Sequence, residues 1–252
     1  MPNDPYLDAS VVWRLKSGTL SFEEAGYRTT KEAILSSGLG TEVVGLISSG
    51  KEADVYLAGY NGAPVAIKAY RLYRTSHRGG GPVKQDSAGW LAAKEYEMTR
   101  QAWKGGASVP APARRIENMF SMRYLGNEEG PAPRLQDVDL EEPEAFLAKV
   151  LGGVDALAKA GVVHSDLSAF NVLVFDDRPW FIDLSEAIRV DRIGDLPWHR
   201  LSEASLALEH GLKALGSYFR RYNLKIDIDS RVSRLARSFD KFGVLSGSSP
   251  DH

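Results

Sequence analysis

The chain has 252 residues, 43% of them apolar and 25% charged, with a net charge of -2. That is an ordinary globular mixture, and it excludes a chain drawn to nucleic acid by global charge. The absence of cysteine excludes a disulfide framework and thiolate metal sites and fits a reducing compartment. No run approaches the roughly 18 apolar residues of a membrane span. The start MPNDPYLD has neither a basic nor an apolar signal region, so a cytoplasmic protein without a membrane partner is expected.

Residues 1–40 read as an N-terminal helical segment, with Val11, Val12, Leu15 and Leu20 set between charges. Three strands are predicted next, Thr41–Ile47, Ala53–Ala58 and Pro64–Tyr70, joined by the turn segments SSGKE and GYNGA as an antiparallel meander. From Arg74 to Gly89 three consecutive glycines, a proline and scattered charges predict a loop. A helix is predicted over Trp90–Lys104, stopped by Gly105-Gly106, and a short strand over Met119–Tyr124.

A Pro-rich connector, Gly126–Asp139, leads to a helix over Pro143–Ala160, with Pro in its first turn and Gly161 at its end. A short strand is predicted over Gly161–His164. Strands Asn171–Phe175 and Trp180–Asp183 pair across Asp176–Pro179, and a helix follows over Glu203–Arg221. The expected organisation is a region of strands with one helix over 41–125, a mostly helical region over 126–229, and a helix or flexible tail over 230–252.

Alternation along PVAIKAY puts Lys68 on the same strand face as Ala66 and Tyr70. A lysine on an inner face is costly unless paired. On the following helix, Glu95 falls in the apolar stripe of Leu91, Met98 and Ala102, whereas Lys94 and Glu97 fall off it. Each buried charge calls for the other, and the expected pair would hold Lys68 against the α- and β-phosphates of a nucleotide. The turn in SSGKEADVY, Ser48 to Tyr56, has the Ser and Gly composition of a phosphate cradle, although a plain hairpin turn has the same composition.

The segment Val162–Ser185 holds Asp166 in a polar turn, Asn171 at the start of one strand and Asp183 at the end of another. Phosphoryl transfer needs a carboxylate for the attacking hydroxyl and hard oxygen ligands for Mg2+, and these three residues supply both. Asp166 and Asp183 alone would read as turn caps; the three in order, behind Lys68 and Glu95, read as a site. His164 reads as a structural hydrogen-bonding residue beneath the loop rather than a base.

HSDLSAFN resembles the catalytic loop of protein-kinase-like folds, and IDLS stands where ordinary kinases carry D-F-G. Together with GKEADVY, these motifs resemble the RIO family of atypical serine/threonine protein kinases, and most closely its RIO1 branch, over roughly residues 10–225. The resemblance implies an α+β fold, a trimmed two-lobed kinase with an antiparallel N-lobe sheet plus helix and an extra N-terminal helical segment. Only 69 residues follow Asp183 (252 - 183), and no A-P-E motif is among them, in keeping with that trimming.

The resemblance further implies ATP with Mg2+, Mn2+ being able to substitute. Ser48, Gly50 and Lys51 would lie over the phosphates, and Lys68, steadied by Glu95, would contact them. Met122 would line the adenine pocket, with Arg123 to Leu125 as the hinge. Asp166 would be the catalytic aspartate, Asn171 and Asp183 the metal ligands, and Asp183 also a candidate phosphate acceptor, so that turnover includes ATP hydrolysis. The family's part in small ribosomal subunit maturation implies a pre-ribosomal particle or its rRNA as partner; the protein substrate is unspecified. The basic residues Arg71, Arg74, His77, Arg78 and Lys84 are a candidate RNA-facing patch. Two other readings are a nucleotide-gated assembly factor with little kinase activity and a small-molecule phosphotransferase of aminoglycoside type.

Overall fold

The structure, a computed structural model, describes residues 17, 30–50, 52–71, 73–74, 83–84, 87–190 and 197–238. Most of the expected N-terminal segment, most of the Arg74–Gly89 loop and Lys51 lie outside the described residues. The chain divides into two compact units, residues 1–96 with 112–124, and residues 97–111 with 125–252.

In the first unit α1 (Thr30–Ser37) precedes a meander of β1 (Glu42–Ser49), β2 (Ala53–Tyr60) and β3 (Ala63–Tyr70). After α2 (Ala88–Lys104) come β4 (Pro112–Ile116) and β5 (Met119–Arg123), giving an antiparallel five-stranded sheet in the order β1-β2-β3-β5-β4. The sequence reading missed β4, because PARRI has no apolar alternation. It is an edge strand in which Pro112 and Arg115 pair with β5.

The central strand β3 is apolar at both parities because both of its faces are covered. Ile67 and Ala69 join Tyr56, Ala58 and Met119 beneath Ile34 of α1. Tyr70 joins Ala53 and Phe120 beneath Ala88 and Ala92 of α2.

The second unit is built on α3 (Pro143–Lys159), the hairpin β6 (Val172–Phe175) with β7 (Arg178–Phe181), α4 (Pro197–Phe219) and α5 (Ile228–Ser238). Phe146, Val150, Val154 and Leu157 of α3 and Leu208, Leu212, Leu215 and Phe219 of α4 form its core with Val172 and Phe181. Pro143 opens α3, and Gly161 follows its C-cap at φ +77°, a conformation costly for any side chain. That reversal sends the chain into Val162–Val163, which pairs with Ile188–Arg189 and leads to His164.

Several boundaries differ from the sequence expectation, among them the short pairing of Tyr73–Arg74 with Val83–Lys84 across the expected loop, the start of α2 at Ala88, and the following three in the second unit. The hairpin turn is only Asp176-Asp177, both at positive φ, a two-residue form that matches strand twist; Arg178 and Pro179 are therefore paired rather than looped. The helix α4 begins at Pro197 rather than Glu203, Pro being an acceptable first residue. Asn171 ends a 3-10 turn, Ala169–Asn171, and Asp183 lies two residues past β7; neither sits on a strand.

Candidate active site

Within the first unit, sheet register assembles one cluster. Ser48 pairs with Val55, Val55 with Lys68, and Lys68 with Phe120, so these four residues lie side by side across four strands and face the same way. A register shift in β1 between Leu46 and Ser48 brings Ser48 into that row. In the next row on this face Leu57 pairs with Ala66 and Ala66 with Met122, giving an apolar strip beside the lysine.

Lys68 Nζ donates to Glu95 Oε1 at 2.8 Å. The Tyr70 hydroxyl donates to Glu95 Oε2 at 2.6 Å, so both carboxylate oxygens are held. Glu95 is only 2% exposed, and an ionised carboxylate is tolerated there because charged and neutral donors converge on it. The off-stripe neighbours behave as expected: Glu97 is exposed and accepts from Arg100, and the Lys94 ammonium lies 5.7 Å from the Trp90 ring centroid.

The turn expected to cradle phosphate is closed by the Gly50 amide, which donates to the Ala53 carbonyl at 2.9 Å and is thereby engaged within the hairpin. Of the expected hinge residues, Arg123 is exposed at the end of β5 and Leu125 is buried, its carbonyl accepting from the Ala132 amide at 2.9 Å. Desolvation pushes the phenol of Tyr124, between them, above its usual pKa.

The second unit holds Asp166, Asn171 and Asp183. Asn171 Nδ2 donates to the Asp166 carbonyl at 2.7 Å and to Asp166 Oδ2 at 3.0 Å, a staple that shapes the loop and orients the exposed Asp166 carboxylate. With its nitrogen committed to Asp166, Asn171 presents Oδ1 as an acceptor. The Ile182 amide donates to the Asn171 carbonyl at 3.0 Å, and His164 Nε2 donates to the Ile182 carbonyl at 2.9 Å. His164 is 3% exposed, so it ties the loop to the segment before Asp183 from beneath and serves as a brace.

Asp183 has φ +62°, a left-handed conformation that aspartate tolerates better than most residues. Its Oδ1 accepts from Ser185 Oγ at 3.0 Å. Strain of this kind persists where the surroundings over-determine a backbone, and it concentrates at functional sites.

Among the described residues no three His, Asp or Glu side chains cluster as a metal site. Mg2+ does not require such a cluster, since it keeps waters and takes one or two carboxylates with substrate phosphates. A neutral oxygen from Asn171 and a carboxylate from Asp183 fit that donor set.

Several supporting residues escaped the sequence reading. The Tyr70 hydroxyl is one, though the strand alternation that flagged Lys68 also places Tyr70 on its face. Val55 and Ala66 are others. Gly211 is a fourth: a Cβ there would meet Leu167 Cβ at 2.7 Å, so α4 approaches the loop closely beside Asp166. Arg71, counted with the RNA-facing patch, has its guanidinium on Asp54 and Ser49 instead. Of that patch, His77 and Arg78 lie outside the described residues, as do the side chains of Arg74 and Lys84.

An antiparallel sheet bearing a lysine-glutamate pair, with a helical unit whose loops carry Asp, Asn and Asp, defines the protein-kinase-like fold. The solved Rio2 kinase of Chaetomium thermophilum, in a structure described as an ADP/Mg2+-phosphoaspartate complex, shares the fold with a TM-score of 0.64. It is 17% identical, with 92% of this chain and 79% of that chain covered. The RIO domain matches residues 54–231, and the chain belongs to the RIO domain family.

The RIO-type serine/threonine-protein kinase Rio1 of Haloferax volcanii is 30% identical over 201 residues, covering 74% of this chain and 66% of that protein. The protein of the same name in Methanocaldococcus jannaschii is 32% identical over 165 residues, covering 59% of this chain and 56% of its own length. The serine/threonine-protein kinase RIO1 of Caenorhabditis elegans is 30% identical over 188 residues, covering 67% of this chain and 37% of that protein. The chain thus spans less than two thirds of these relatives' length. Among the described residues no helix is long and apolar enough to cross a membrane.

Proposed function

We propose that the chain is a Mg2+- and ATP-dependent serine/threonine kinase of RIO type, with ATP hydrolysis as part of its turnover. The observation that carries this reading is the Lys68–Glu95 contact of 2.8 Å, in a family whose curated relatives are named kinases. A buried charge pair contributes little net stability on its own account, and a poised ammonium is what phosphate binding requires.

Lys68 binds the α- and β-phosphates, oriented by Glu95 and Tyr70. Ser48, Gly50 and Lys51 lie over the phosphates, and Met122 and the backbone from Arg123 to Leu125 meet the base. Asp166 orients the attacking hydroxyl and takes its proton, and the Asn171 staple fixes which way that carboxylate points. Asn171 Oδ1 and Asp183 are the residues that would hold Mg2+, which would supply charge neutralisation at the phosphates. Mn2+ substitutes for it.

In this reading the exposed Asp183 carboxylate also acts as nucleophile. Its oxygen would bond to the γ-phosphorus as ADP leaves, and water would then release inorganic phosphate. A phosphoaspartate is named for the Chaetomium Rio2 structure, which supports this as the ATPase branch. A cytoplasmic role in small ribosomal subunit maturation belongs to the same proposal on the strength of the family resemblance, and co-sedimentation with small subunits tests it.

The deciding experiment is turnover of γ-labelled ATP with free phosphate and protein-bound label counted separately. Asp166→Ala and Asp183→Ala are each expected to lower turnover about 10²-fold or more. Turnover within about threefold of wild type in either variant would sink the assignment. Acid-stable label on a serine or threonine identifies the kinase branch, and base-labile label with free phosphate the aspartyl branch. Label transferred instead to an aminoglycoside favours the small-molecule alternative.

A further inference from the structure

Arg71 follows directly on β3, the strand that carries Lys68. Its Nε donates to Asp54 Oδ2 at 3.0 Å and its Nη2 to Asp54 Oδ1 at 2.7 Å, a forked contact onto the start of β2. The same Nη2 donates to Ser49 Oγ at 2.7 Å, at the end of β1. The Arg71 amide donates to the Glu52 carbonyl at 2.8 Å, inside the turn. One residue therefore grips the phosphate turn at its entry, its middle and its exit. The Arg71 and Asp54 side chains are 22% and 14% exposed, which shields the contact from solvent far better than a surface ion pair.

We propose that Arg71 is a positioning residue for nucleotide binding, fixing the phosphate turn at a set distance from Lys68. The claim rests on the reading that Lys68 meets the phosphates. A hairpin tip opens locally at low cost unless contacts hold it, and the Arg71 contacts hold this one. The planar fork of an arginine holds both carboxylate oxygens at once, which the point charge of a lysine cannot do. A released turn loses bound nucleotide before it loses chemistry, so the effect belongs in affinity and KM, with kcat little changed.

The test uses the full chain with ADP and Mg2+ in calorimetric titrations, alongside steady-state ATP turnover. Arg71→Gln, Asp54→Asn and the double variant are each expected to weaken ADP binding about tenfold, with kcat within about twofold of wild type. Arg71→Lys should recover only part of the loss, because charge without the fork is not enough. Should Arg71→Gln prove insoluble, the isosteric Asp54→Asn carries the test. Binding within about twofold of wild type in Asp54→Asn overturns the inference, as do losses that add in the double variant or a fall in kcat at unchanged affinity. Wild-type protein that binds no ADP overturns the proposed nucleotide site and this inference together. Wild-type binding with an indifferent Arg71→Gln overturns this inference alone.

Discussion

Replacing Lys68 by Met leaves the Glu95 carboxylate, 2% exposed, facing an apolar chain where an ammonium stood at 2.8 Å. Replacing Glu95 by Leu takes the carboxylate from that ammonium, whose side chain is 12% exposed, and removes the acceptor of the Tyr70 hydroxyl. Breaking a buried pair from either side costs about 3–5 kcal/mol, since the remaining charge has lost its compensation. At about 2–4 °C per kcal/mol for a chain of this size, each single variant should unfold about 6–20 °C below wild type. The double variant Lys68→Met/Glu95→Leu removes both charges and fills the space with hydrocarbon, which is commonly neutral or stabilising. Its unfolding temperature should rise well above both single variants, short of wild type by the about 1–3 kcal/mol of a buried Tyr70 hydroxyl that has lost its Glu95 acceptor. ATP turnover should stay lost in all three, because the phosphates need the ammonium. Differential scanning calorimetry and a coupled ADP assay on the same samples measure both. Single variants within about 2 °C of wild type would show that the pair is not the buried, mutually compensating unit described here. Turnover regained by the double variant would remove Lys68 from the phosphate site.

Two further substitutions separate backbone from chemistry in the second unit. Asp183→Val and Asp183→Gly both delete the carboxylate, but Val must hold φ +62° at a cost of about 1–2 kcal/mol while Gly does so freely. Thermal melts should therefore place Asp183→Val about 2–8 °C below Asp183→Gly, with turnover lost in both; equal melting temperatures would mean that the residue relaxes out of the left-handed region. Gly211→Ala introduces a Cβ 2.7 Å from Leu167 Cβ, an overpacking worth about 1–3 kcal/mol. Since Leu167 adjoins Asp166, kcat should fall with the melting temperature, and a destabilised variant with full kcat would show that the loop tolerates the displacement.

The helices and central strands were legible in the sequence because their burial follows a local period. The stripe through Glu95 and the alternation around Lys68 place both charges on inward faces from sequence period alone. The order of Asp166, Asn171 and Asp183 was equally plain. Periodicity could not settle the edges: β4 lacks alternation because it lies at the rim, and the Asp176-Asp177 turn was overestimated because Arg178 and Pro179 look like loop residues.

The sequence alone determined the residue types and their spacing, and with them the family and the expected nucleotide chemistry. Covalent neighbours and helix or strand period are short-range quantities, so they survive in one dimension. Tertiary structure alone decided which donors complete the buried Glu95 carboxylate, how Asn171 staples Asp166, and that Asp183 sits in strained backbone rather than on a strand. It also set the Arg71 guanidinium on Asp54 and Ser49. Those facts depend on hydrogen bonds and close contacts between residues far apart along the chain, such as Tyr70 with Glu95 and Gly211 with Leu167, and no local pattern encodes such distances.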